Sequence, residues 1–256
     1  MKTTQHSMKA FLATLVVVCV LSFNGFSQVQ ELRSFDRIIV SPRVQLELVK
    51  GDKESVRLEY ENIDEGKVNV QVKGNTLRIY LDEAKFIVKN SRRGRYYDEY
   101  GGWDRQMYKE GVRVKAYVTY IDLKYLQIRG EEDIDITSDI ENERFKLKAY
   151  GESTIRMKSI TADKFKAVLI GENKLQIKGG KANKQKYKSI GDNWVRASGV
   201  DSEFAKANFI GEGHIKLKVD DRLHVSAIGE SEVVFQGNPI VHRGIVIGEN
   251  RIRKDW

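Results

Sequence analysis

Seven times in its C-terminal half the chain repeats one short pattern: a glycine, an acidic residue and, most often, a small polar residue. The copies are Gly130-Glu131-Glu132, Gly151-Glu152-Ser153, Gly171-Glu172-Asn173, Gly191-Asp192-Asn193, Gly211-Glu212-Gly213, Gly229-Glu230-Ser231 and Gly248-Glu249-Asn250. Successive glycines are 21, 20, 20, 20, 18 and 19 residues apart. A period this steady marks a repeat architecture, in which each unit buries its apolar face only against the next.

The flanks are equally regular. Four residues after each glycine stands Ile134, Ile155, Leu175, Val195, Ile215, Val233 or Ile252. Two residues before it stands Ile128, Ala149, Leu169, Ser189, Phe209, Ala227 or Val246. Mostly polar residues fill the places between, so each unit reads as two half-buried strands of period two that meet at the glycine. Glycine reaches dihedrals closed to other residues, and Asn or Ser can hydrogen-bond the local backbone, so the triplet suits a sharp corner. A run of hairpins in a sandwich would have no reason to hold one corner at one interval. The pattern predicts an all-β fold, a parallel β-helix with about 20 residues per coil. Equivalent residues would then stack about 4.8 Å apart.

The first 27 residues read differently. Lys2 and Lys9 precede an apolar run from Ala10 to Phe23, and Gly25-Phe26-Ser27 offers small residues for cleavage. This predicts a secretory signal peptide over 1–27, with Gln28 as the mature start; the run is short for a membrane span. Cleavage removes two lysines and no acid, which lowers the formal charge from +8 to +6. It also removes Cys19, the single cysteine, so the mature chain has neither disulfide nor thiol chemistry. The residual basic charge serves solubility or favours anionic surfaces such as lipopolysaccharide and acidic glycans. Nothing resembles a nucleic-acid module, and no transmembrane span is expected after cleavage.

Residues 28–84 alternate again, for example in Val44-Gln45-Leu46-Glu47-Leu48 and Leu77-Arg78-Ile79-Tyr80-Leu81, but they lack the glycine corner. They are expected to form a strand-rich layer capping the N-terminal end of the helix, because an open solenoid end exposes unpaired backbone. Residues 85–110 show no alternation and are rich in Arg, Tyr and Gly. Within this insertion Arg95, Tyr96, Tyr97, Tyr100 and Trp103 are candidate ligand-contacting residues, being of the types that dominate binding hot spots. The repeats then run through 111–256, giving one continuous domain over 35–256. Charge at Lys254, where earlier coils are apolar, is expected to finish the stack, and the chain is not expected to be its own autotransporter.

Recurring Ile-Gly-Glu-Asn and Gly-Glu-Ser corners behind a leader and a strand-rich opening resemble the auto-transporter adhesin family known for its head GIN domain, common in Bacteroidetes. The resemblance covers roughly Phe35 to Ile252. It implies a parallel β-helix, export to the periplasm, outer-membrane surface or medium, and an adhesin-like role on a cell-surface or glycan ligand. It brings no catalytic residues.

Three further features bear on function. Glu131, Glu152, Glu172, Asp192, Glu212, Glu230 and Glu249 would form one acidic file along the stack. Neighbours about 4.8 Å apart repel by about 1 kcal/mol in water. Lysines and arginines on adjacent columns, or corner amides, are expected to offset this. A file of equal positions is a structural pattern, whereas an active site is a local departure from one. Neither paired carboxylates nor a Ser-His-Asp arrangement stands out, and His214, His224 and His242 lack metal-ligand spacing. The chain is therefore expected to be a non-enzymatic binding protein without cofactor or metal. A polysaccharide lyase or hydrolase and a purely structural envelope protein are the alternatives. Finally, Ile170, Ile190, Ile210, Ile228 and Ile247 stand just before the glycines. Exposed, they would be a stripe for a second copy of the chain; tucked into the bend, they would be core.

Overall fold

The computed structural model describes residues 28–82 and 113–255. Within them the repeats wind into a parallel β-helix. Strand Thr154–Gly171 pairs in parallel with Asp133–Gly151 on one side and Lys174–Gly191 on the other. Phe204–Lys218 and Arg222–Gln236 continue the stack, and Ile240–Ile247 and Asn250–Lys254 form its last coil. Partners differ by one coil: Ile155 lies beside Ile134 and Leu175, and Gly171 beside Gly151 and Gly191.

Alternation shows the shape of a coil. After Ile155 and Met157 point inward, Lys158 and Ser159 both face outward; Ile160 and Ala162 point in, then Asp163 and Lys164 face outward. Phe165, Ala167 and Leu169 point in before the glycine corner. Each break in the period of two is a bend, so every coil has three faces, and the first begins at the glycine. The 21-residue first interval carries its extra residue at the first of these bends, where the register shifts between Met157 and Ser159.

The core is a set of vertical files. Ile134, Ile155, Leu175, Val195, Ile215 and Val233 are at most 3% exposed. Phe145 stacks on Phe165 with centroids 6.1 Å apart, and Tyr187 meets Phe165 edge-on at 5.8 Å. Burying such side chains stabilises by about 1.5–3 kcal/mol each.

The N-terminal strands join the stack out of chain order. Arg37–Val40 lies between Thr76–Leu81 and Tyr125–Gly130, parallel to both. Val44–Lys50 lies likewise between Arg113–Tyr120 and Asp133–Gly151. Ser41-Pro42-Arg43 thus makes an extra corner directly beneath Gly130. Beyond that coil the pairing turns antiparallel: Ser55–Glu61 on Arg113–Tyr120, Val68–Lys73 on Thr76–Leu81, and Gln30–Glu31 on Ser55–Glu61.

Candidate functional site along the glycine corner

The seven corner glycines form one file. Gly130, Gly151, Gly171, Gly191, Gly211, Gly229 and Gly248 all have positive φ, between 95° and 127°. A Cβ on Gly171 would lie 2.2 Å from the Gly151 carbonyl oxygen, a backbone atom that cannot swing aside. Both the dihedral and the space therefore require glycine.

The third residue of each triplet turns inward. Ser153, Asn173 and Asn193 are fully buried. They bond coil to coil: the Ser153 N–H donates to Asn173 Oδ1 (3.1 Å), and the Asn173 N–H to Asn193 Oδ1 (3.0 Å). Asn173 Nδ2 also donates to the Ile170 carbonyl at 3.2 Å, and Asn193 Nδ2 to Ile190 at 3.1 Å. The amide is what a buried corner needs, since it offers donor and acceptor together. Phe209 interrupts the file by packing its ring where Gly213 leaves room. At the N-terminal end Glu132 takes the same place, and the Arg43 N–H donates to its Oε1. Its Oε2 is shut off from solvent without a partner, and burial pushes its pKa up to about 7. The sequence suggested local bonds for Ser and Asn; that they link successive coils is visible only once the register is known.

The second residue of each triplet faces water. Glu152, Glu172, Asp192, Glu212, Glu230 and Glu249 are exposed and lie in file. Among the described residues none of these carboxylates is ion-paired, contrary to the expected offset by neighbouring cations. Nor do corner amides serve them. The Glu152 and Glu172 N–H groups donate instead to the Gly130 and Gly151 carbonyls, at 3.0 and 2.9 Å. Their exposure lets water screen the repulsion.

Toward the C-terminal coils this file borders a groove of about 690 Å³. Asp192, Glu212, Glu230 and Glu249 line one side, Trp194, His214, Glu232 and Arg251 the other. Trp194, 46% exposed, lies against His214 with ring centroids 4.8 Å apart. His214 Nδ1 sits 3.0 Å from Glu232 Oε2, and the Arg253 Nε donates to Glu232 Oε1 at 2.9 Å. Arg253, with His214 and Arg251 nearby, holds the Glu232 carboxyl below the usual carboxylate range. The groove thus joins an exposed indole to unpaired acceptors. Sequence reasoning named His214 only as a histidine without metal-ligand spacing and did not name Trp194; their shared column is the signal that could have joined them.

The isoleucine stripe is graded. Ile170 and Ile190 are half-buried, whereas Ile210, Ile228 and Ile247 are 50%, 45% and 59% exposed. Arg95, Tyr96, Tyr97, Tyr100, Trp103 and the predicted leader lie outside the described residues. Among the described residues no group of three or more His, Cys, Asp or Glu side chains could hold a metal ion. None of their helices is long and apolar enough to cross a membrane.

A three-faced parallel solenoid with solvent-facing ladders defines a β-helical repeat protein. The chain belongs to the family described as "Putative auto-transporter adhesin, head GIN domain", which it matches over residues 34–239. Solved structures share the fold. A putative adhesin from Bacteroides fragilis is 15% identical with a TM-score of 0.70, the match covering 90% of this chain and 97% of that one. A putative adhesin from Parabacteroides merdae is 14% identical with a TM-score of 0.65, covering 91% and 98%. A putative lipid binding protein from Parabacteroides distasonis is 15% identical with a TM-score of 0.59, covering 90% and 96%. A search of curated proteins finds no match.

Proposed function

We propose that this is an exported, non-enzymatic binding protein of the bacterial cell envelope or surface, and that it holds a neutral or amino sugar in the Trp194 groove. The observation that carries the reading is the exposed indole beside a row of unpaired carboxylates. An indole face stacks on the C–H face of a sugar ring, and carboxylates accept hydrogen bonds from hydroxyl or ammonium groups. The same carboxylates repel uronates and sulfated sugars, so the ligand class is not acidic. The adhesin-like family and its fold support a binding role, and the apolar leader supports export.

The test is a glycan array probed with the exported chain and with Trp194→Ala. Loss of the stacked ring should weaken binding about tenfold, about 1.4 kcal/mol, with the thermal transition unchanged because the side chain is exposed. Equal binding by Trp194→Ala, or a preference for acidic glycans that Trp194→Ala abolishes, would refute this reading.

A further inference from the structure

The third face of the solenoid, the one preceding the glycine corner, has a charge pattern unlike the other two. Its outward positions in five successive coils are the alternate residues of 144–150, 164–170, 184–190, 204–210 and 222–228. Ten of these twenty positions are Lys or Arg and none is Asp or Glu. Lys146, Lys166, Lys186 and Lys206 stand in one file, each beside the next. Lys148 and Lys188 belong to the adjacent file, two residues along the strand. Among the described residues none of these six ammonium groups has a hydrogen-bond or ion-pair partner, although Lys146 and Lys148 lie over the Tyr125 and Tyr150 rings, 5.9 and 6.0 Å from their centroids. Arg144 and Lys164 at the border pair with Glu143 and Asp163, at 3.3 and 3.4 Å. The crowding is felt. Burial, followed by Lys148, Lys166 and Arg37, lowers the Lys146 pKa.

The acids have gone elsewhere. The second face and its bends carry Glu141, Asp163, Asp201, Glu203, Asp220 and Asp221. One side of the solenoid therefore carries the unpaired cations and another the acids, of which Glu141, Asp163, Asp201 and Asp221 are ion-paired with Lys50, Lys164, Lys218 and Arg222, a segregation that the formal net charge of +8 conceals. Placing like charges about 4.8 Å apart costs stability at each step. A partner that supplies the missing negative charge recovers that cost.

We propose that this lysine face docks the protein on an anionic phospholipid surface. The array is flat and two-dimensional, with rungs about 4.8 Å apart and columns about 7 Å apart. A plane of phosphate headgroups meets every column at once. A single extended polyanion would follow one file and leave the others unmatched. No exposed large apolar side chain stands in the lysine columns, and the isoleucine file forms only the rim. Contact therefore stays at the headgroups, driven by charge and reversed by salt. Docked this way, the acidic second face points away from the membrane, so the charge segregation also sets orientation.

The test is sedimentation of the exported, leader-free chain with vesicles of equimolar phosphatidylglycerol and phosphatidylcholine, against vesicles of phosphatidylcholine alone. Binding is expected only to the anionic vesicles and should fall steeply with added salt. Lys166→Gln with Lys186→Gln should weaken it about thirtyfold, about 1 kcal/mol for each cation at the surface. Lys178→Gln with Lys216→Gln makes the same change of net charge on the first face and should leave binding near wild type. Circular dichroism checks that both variants fold. Equal losses in the two double variants would overturn the face assignment. Binding to alginate but not to anionic vesicles would overturn the bilayer in favour of an acidic polysaccharide. Neither outcome touches the Trp194 groove, which lies on another face.

Discussion

Replacing Gly171 by alanine tests the stacked corner most directly. Gly171 has φ +109°, a region that L side chains rarely enter, and holding alanine there costs about 1–3 kcal/mol. The added Cβ would also sit 2.2 Å from the Gly151 oxygen and 3.1 Å from its carbon. Relieving that overlap means parting two coils by about an ångström at the corner, where atoms in contact want about 3.5 Å. The Glu172 N–H bond to Gly151 O, now 2.9 Å, would stretch, and the buried Asn173 bonds beside it would loosen. Each hydrogen bond weakened is worth about 1 kcal/mol. The sum is about 4 kcal/mol, a large part of an ordinary domain's stability. The control is Gly74→Ala. Gly74 also has positive φ, +56°, but a Cβ there meets nothing within 4 Å. It should cost only the left-handed preference, about 1–2 kcal/mol. Urea titrations followed by circular dichroism would compare the midpoints. If Gly171→Ala unfolds no earlier than Gly74→Ala, close approach of successive coils is not what demands glycine, and the stacking argument fails.

Two more outcomes follow from the inner file. Asn173→Ala strips the Ser153 N–H of its acceptor and the Ile170 carbonyl of its side-chain donor, both in the corner interior. It should cost about 2–3 kcal/mol, and a thermal transition matching wild type would show that the file does not hold the coils. Glu132 should make stability fall as pH rises. Its pKa is raised from 4.5 to about 7, so the folded state holds the proton more tightly than the unfolded state does. Its contribution is complete below about pH 4.5 and is lost progressively up to about 7. The residue keeps some exposure, so the loss is about 2–3 kcal/mol rather than more. Glu132→Gln should flatten that slope in urea midpoints measured across the window; an unchanged slope would assign it to another group.

Much of the architecture could be read from the residues. Period-two alternation around each glycine gave the inward files from Ile134 to Val233, and the recurring interval gave their stacking. Alternation states which way a side chain faces, however, and not which strand lies beside it. The strands from Arg37 to Lys50 have the right alternation yet turn at Ser41-Pro42-Arg43, where Arg43 has φ +70°. Without a glycine triplet, nothing in that stretch says that it slides between later coils. The candidate surfaces were hidden for a related reason. Trp194 and His214 are 20 residues apart, and Lys146 and Lys206 are 60 apart. Their company exists only when the winding brings one turn onto the next. Composition averaged the positive and negative sides to a modest surplus.

The displaced opening strands have a consequence for assembly. In a solenoid built in chain order, each new turn settles on the last as it emerges. Here the earliest strands must wait, because their seats are made by Thr76–Leu81 and Arg113–Tyr120 below and by Tyr125–Gly130 and Asp133–Gly151 above. Trimming the chain from its front would therefore not shorten the column by a storey. It would pull a floor from the middle of the building and leave the storeys on either side facing a gap.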